Sequence, residues 1–178
     1  MLRRKPAWPE GTSYSHLNVR LERTAVRLVA LLVADKQLKY FFKKYDLPFL
    51  MEASVETEDW ELIHLTVELA TGYRLIHWNA KHKIKTLSVG SVWSSTDSEK
   101  IEPLSMLEAC NKVIHATKLE FFSKKVRGFP LTYVEPYLSL DGKKGAKEWS
   151  ATIDMLMFCN EALAPHSNWL PPSKPSSA

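Results

Sequence analysis

Apolar residues recur every three or four positions through the first part of the chain, with Leu17, Leu21, Ala25, Leu28 and Leu32 on one line. That period marks a helix with one buried stripe. It predicts a helix from about Ser15 to Tyr45, stopped by Asp46 and Pro48. A second helix is expected from about Glu58 to Trp78, capped by Thr57 or Ser54. Trp60, Ile63, Val67, Ala70 and Trp78 share one of its faces, and Leu62, Leu65, Leu69 and Ile76 share the opposite one. A helix apolar on two faces is expected to lie centrally, between neighbours.

The pattern changes near residue 83. Lys83 to Trp93, KIKTLSVGSVW, roughly alternates and is rich in β-branched residues, which predicts a strand. Thr96 to Glu102 reads as polar loop. Helical spacing returns from Pro103 to Lys124, with proline near the first turn, where helices tolerate it. Leu131 to Leu140 reads as a second strand bent at Pro136, followed by a turn at DGKKG, residues 141 to 145. A last helix is expected over Ala146 to Ala164, with Trp149, Ile153, Leu156 and Met157 facing inward.

The expected architecture is therefore mainly α: a four-helix-bundle-like domain over residues 15–164 with a small two-stranded β insertion. Residues 1–14, which include Arg3, Arg4 and Lys5, are expected to form a flexible basic arm. Residues 165–178 read as an extended Pro/Ser-rich tail, in which Trp169 and Leu170 are candidates to dock back.

Composition narrows the classes. A chain of 178 residues with 45% hydrophobic and 25% charged content supports one globular core and excludes disorder throughout. The net charge of +4 permits contact with phosphate without demanding it. Cys110 and Cys159 lie in apolar surroundings without metal-ligand spacing, which fits buried thiols in a reducing compartment. The longest apolar run, Leu28 to Ala34, falls far short of a membrane span, and LRRKPAWPEG lacks the apolar core of a signal peptide. A cytoplasmic protein with no membrane contact is expected. His77 and His82 have no third ligand at metal spacing, so no metal is expected. No phosphate loop, dinucleotide fingerprint, Ser-His-Asp elbow or paired-carboxylate motif occurs, and no cofactor is expected.

One stretch is chemically odd. Drawn as a helix, residues 103–124 put Leu104, Leu107, Asn111, Ile114, His115, Lys118 and Phe122 on one side, with Asn111 and His115 at its middle. A buried amide and imidazole need partners: each other, a carbonyl, a second subunit or a ligand. An imidazole at the floor of a cleft also suits proton transfer.

The stretch NKVIH, residues 111–115, resembles the motif of the HEPN superfamily of helical domains, an Arg commonly followed by Asn, with His five positions after the Arg. Asn111 and His115 match, while Cys110 stands where the family has its Arg. LSMLEACNKVIHA and GKKGAKEWSATIDMLMFC also resemble bacterial and phage proteins of similar length. The resemblance implies a dimer that cuts RNA without metal in a defence-type setting. His115 and Asn111 would be the catalytic pair. Lys112 and Lys118 would face RNA, and Arg74 would stand in for the missing cation. Cys110 leaves catalysis open, because a neutral thiol cannot replace a guanidinium. The rival reading is a non-catalytic interaction, inhibitor or scaffold protein acting as a homodimer, in which the polar pair locks a core or a seam.

Overall fold

The computed structural model describes residues 14–77, 87–94, 97–128 and 131–164. It begins with two long helices, α1 (Tyr14–Tyr45) and α2 (Pro48–His77), joined by a tight corner. Asp46 takes the left-handed conformation, φ 49°, and the Leu47 N–H donates back to the Phe42 carbonyl at 3.3 Å. That bond satisfies an orphan carbonyl at the end of α1. Pro48 has no N–H to waste and opens α2.

The chain continues through β1 (Ser88–Ser94), β2 (Asp97–Ser105), α3 (Met106–His115), β3 (Ala116–Lys125), β4 (Thr132–Lys144), β5 (Lys147–Asp154) and α4 (Met155–Leu163). The strands form one sheet in the order β2-β1-β5-β4-β3, with every pairing antiparallel. A five-stranded sheet with four helices overturns the expected four-helix bundle with a two-stranded insertion.

The physical reason lies at two junctions. The chain passes from helix to strand between His115 and Ala116, and from strand to helix between Asp154 and Met155, without a loop residue. Neither junction has a glycine or proline to announce it. Over 147–154 the buried set is Trp149, Ala151 and Ile153, a period of two, while Ser150, Thr152 and Asp154 are half-buried. Trp149 and Ile153 also fit a helical period, which is why the segment reads as helix. Residues 97–105, expected mostly as loop, form β2.

Both junction helices are capped by side chains. Ser105 accepts from the Glu108 N–H while the Glu108 carboxylate returns to the Ser105 N–H, a capping box that starts α3. The Asp154 carboxylate accepts from the Leu156 and Met157 N–H groups at 3.0 and 3.1 Å and starts α4.

One face of the sheet carries the core. Leu138, Leu140, Ala151 and Ile153 are fully buried there, joined by Val89 and Leu104. α1, α3 and α4 pack against strands, and α2 packs on α1 and α3. Among its described side chains, α2 buries Leu62, Leu65, Leu69, Ala70 and Tyr73 on one face, while Trp60 is 70% exposed. The expectation of a central, two-faced helix is thereby corrected.

β4 carries an irregularity at Pro136. Phe121 of β3 pairs with Leu138, yet Ser123 pairs with Val134, so extra β4 residues bulge out around the proline. α1 braces this bulge. The buried Asp35 carboxylate accepts the Val134 N–H at 2.6 Å and faces the equally buried Lys39 ammonium at 3.4 Å.

Apart from Tyr14, the basic arm expected over 1–14 lies outside the described residues, as do the 165–178 tail and residues 83–86 of the first expected strand. No described helix is long and apolar enough to cross a membrane.

Candidate functional site

α3 buries Met106, Ala109, Cys110 and Val113. Asn111 is half-buried and His115, the last residue of the helix, is exposed. The polar pair is thus not the middle of a buried stripe. Its apparent burial came from placing Leu104, Lys118 and Phe122 on a helix, whereas Leu104 belongs to β2 and the other two to β3. Removing them rotates the apolar face away from His115 and onto Cys110.

The chemistry on the buried side is subdued. Burial pushes the Cys110 thiol up to about 12, against a weak opposing pull that includes the Arg74 guanidinium. Burial also pushes the neighbouring Tyr73 phenol up to about 12, with help from the negative charges of Cys110, were it ionised, and Glu161. Both groups stay protonated at neutral pH. Glu161 is itself buried on α4 and accepts the Leu87 N–H at 3.1 Å, which ties the entry of β1 to α4. Cys159 behaves like Cys110, its thiol pushed up to about 12 by burial.

The remaining candidates are scattered. Arg74 is half-buried on α2, on the Cys110 side of α3. His115 falls about 140° round the helix from Cys110 at 100° per residue. The Lys112 ammonium lies 3.8 Å from the centroid of the Trp149 ring, a cation–π contact. Burial lowers the Lys112 pKa first and the Lys144 charge second, with Glu108 opposing. Lys118 projects from β3 and is ion-paired with Glu120 at 2.6 Å. Among the described residues no group of three or more His, Cys, Asp or Glu is placed to hold a metal ion.

The face that stands out is one the sequence reading passed over. Val19, Val26, Val33 and Tyr40 of α1 recur every seven residues and all point to solvent, Val26 at 62% and Val33 at 60% exposure. Ala30, also exposed, lies between them, with Val29 half-buried beside it. The seven-residue spacing was available in the sequence. It was masked by the stronger stripe of Leu21, Ala25, Leu28 and Leu32 on the buried side.

Two hollows flank this helix. One, of about 280 Å³, lies between α1 and α2, where Arg20 Nε donates to Glu68 Oε1 at 2.5 Å. Farther along, Arg27 pairs with Glu61 between the same two helices. The second hollow, of about 320 Å³, lies between α1 and α4, lined by Ala25, Val26, Val29, Leu156, Cys159, Asn160 and Leu163.

No protein-family model, no curated protein and no solved structure matches this chain.

Proposed function

We propose that this protein is a non-catalytic interaction protein that pairs with a second copy of itself through the outward face of α1. The observation that carries the reading is the exposed ladder of Val19, Val26, Val33 and Tyr40. Its seven-residue repeat is the spacing with which two helices keep a shared seam. The ladder is symmetric about the point between Val29 and Ala30, so two antiparallel copies set Val26 against Val33 and Val19 against Tyr40. A two-fold pair requires such self-complementarity. Ala30 at the midpoint lets the backbones approach, and Glu22 of one copy comes beside Lys36 of the other, opposite charges on the same flank.

The subdued chemistry of α3 supports the non-catalytic half of the reading. Cys110 is neutral where the resembled motif needs a cation, and the Arg74 guanidinium acts on that buried thiol. Light scattering on a gel-filtration column tests the pairing. A dimer at micromolar concentration should become a monomer in Val26→Glu/Val33→Glu with an unchanged circular-dichroism spectrum. A monomer at every concentration would sink the proposal.

A second reading, contact with RNA at the Asn111/Lys112/His115 edge with Lys118 beside it, is favoured by the exposure of His115 and by the proximity of Lys112 and Lys144. Its signature is affinity for single-stranded RNA that falls steeply with added salt. Any metal-independent cleavage would have to disappear in His115→Ala.

A further inference from the structure

We infer that the corner between α1 and α2 docks on the surface of an anionic lipid bilayer. Phe41, Tyr45 and Phe49 enter the headgroup boundary there, and the cations around them meet lipid phosphate. The three rings follow one another at steps of four residues across the corner, and all are exposed, Phe49 at 85%. Phe41 and Tyr45 belong to the end of α1, with ring centroids 4.5 Å apart, and Phe49 stands in the first turn of α2. Exposed apolar residues gathered at one place and rimmed by charge mark a contact surface.

The cations come from two parts of the chain. Lys43 and Lys44 occupy the last turn of α1. The Lys43 ammonium donates to the Arg127 carbonyl at 2.9 Å, which brings the end of β3, with exposed Lys125 and Arg127, up to the same corner. The Lys44 ammonium stands 5.1 Å from the centroid of the Tyr45 ring, so charge and aromatic surface are presented side by side. Lys124 is paired with Glu135. Among the described side chains of the corner that leaves Lys43, Lys44, Lys125 and Arg127 against Asp46. Lysine stems let an ammonium stay at headgroup level while neighbouring rings sink past it, and aromatic rings favour that boundary. Each cation close to an anionic leaflet raises partitioning about fivefold, so rings and charges act together.

Single-stranded RNA also takes lysines and aromatics, but it fits this corner less well. It follows a charged groove in which bases stack on separate rings. Phe41 and Tyr45 are packed on one another with no gap for a base, and no residue of the corner lines either hollow. The expectation of no membrane contact rested on the short apolar runs of the sequence, and a peripheral contact needs no spanning segment. The inference is also independent of the pairing of copies, because an antiparallel α1 pair holds its two corners at opposite ends.

Co-sedimentation of the full chain with vesicles tests it. The protein should sediment with vesicles of phosphatidylcholine and phosphatidylglycerol in equal parts, not with phosphatidylcholine alone, and added salt should weaken the binding. Phe49→Ser, at an exposed position, should lower partitioning on the order of tenfold with an unchanged circular-dichroism spectrum. Lys44→Glu and Lys125→Glu should each lower it at least about fivefold. Lys147→Glu makes the same change of net charge at the β4–β5 turn, the other end of β4 from the corner, and should bind as the unaltered chain does. Val26→Glu, which interrupts the proposed pairing, should still bind. No sedimentation with the mixed vesicles at low salt overturns the inference. So does binding that Phe49→Ser leaves intact, or that Lys147→Glu weakens as much as Lys44→Glu, since either is adsorption by net charge alone. Affinity for a uridine oligonucleotide that Phe49→Ser abolishes, without vesicle binding, assigns the corner to RNA and overturns it too.

Discussion

Trp149 of β5 lies against Gly142, its partner on β4, in the space that a side chain at 142 would fill. A Cβ built there overlaps the indole ring, and the same ring carries the Lys112 ammonium. The absent side chain is what lets a large aromatic lie down on the sheet and meet α3.

Gly142→Ala should therefore destabilise the protein by about 1–3 kcal/mol, the usual cost of overpacking a filled site. Urea unfolding measures it. Pairing it with Trp149→Phe, which makes room, should give a double mutant less destabilised than the sum of the single changes.

Asp35 and Lys39 form the second critical contact. Asp35→Ala leaves the Lys39 charge buried and the Val134 N–H without its acceptor. Removing one member of a buried pair costs more than replacing both by apolar residues of similar size. Asp35→Leu/Lys39→Met should accordingly be more stable than Asp35→Ala in the same urea titration.

Alkaline pH should unfold the protein through its buried acids. In the unfolded chain the thiols ionise near 9.0 and the Tyr73 phenol near 10.0, whereas the fold keeps all of them protonated to about 12. Between those limits the unfolded state binds fewer protons, so stability falls as pH rises. Each group contributes a slope of about 1.4 kcal/mol per pH unit once its unfolded form has ionised. Guanidinium midpoints from pH 8 to pH 11 should show this decline. Cys110→Ala/Cys159→Ala should flatten the part that begins near 9, and Tyr73→Phe the part above 10.

Completing the resembled motif should fail. Cys110 has no exposed surface, so Cys110→Arg forces a guanidinium into the core at a cost of several kcal/mol. Insoluble or unfolded protein is the expected result, judged by circular dichroism. His115→Ala, at an exposed helix end, should change stability by less than about 0.5 kcal/mol.

The two long helices were legible because a stripe such as Leu21, Ala25, Leu28 and Leu32 leaves no competing period. α2 starts earlier than expected, since Pro48 both follows the corner and opens the helix. The sheet was mostly hidden. Ala116 to Lys125 continues the spacing of α3 well enough to pass as helix, and Trp149 with Ile153 does the same ahead of α4. Caps mark where the two short helices begin: Ser105 with Glu108 three residues on starts α3, and Asp154 just before Met155 starts α4, while no cap marks the change to strand after His115. Of the candidate residues, the sequence located His115 on α3 but misjudged its exposure, because strand residues were counted on a helical face.

The strand order has a consequence for how the chain comes together. β5 is the last made of the described strands, yet it sits in the middle of the sheet, between β1 and β4. Two separate hairpins, β1–β2 and β3–β4, must wait with their inner edges unsatisfied until residue 154 has emerged from the ribosome. Closure of the sheet is a late, long-range event that joins both hairpins at once, the kind of step that makes folding slow and leaves nascent chains prone to stick to one another.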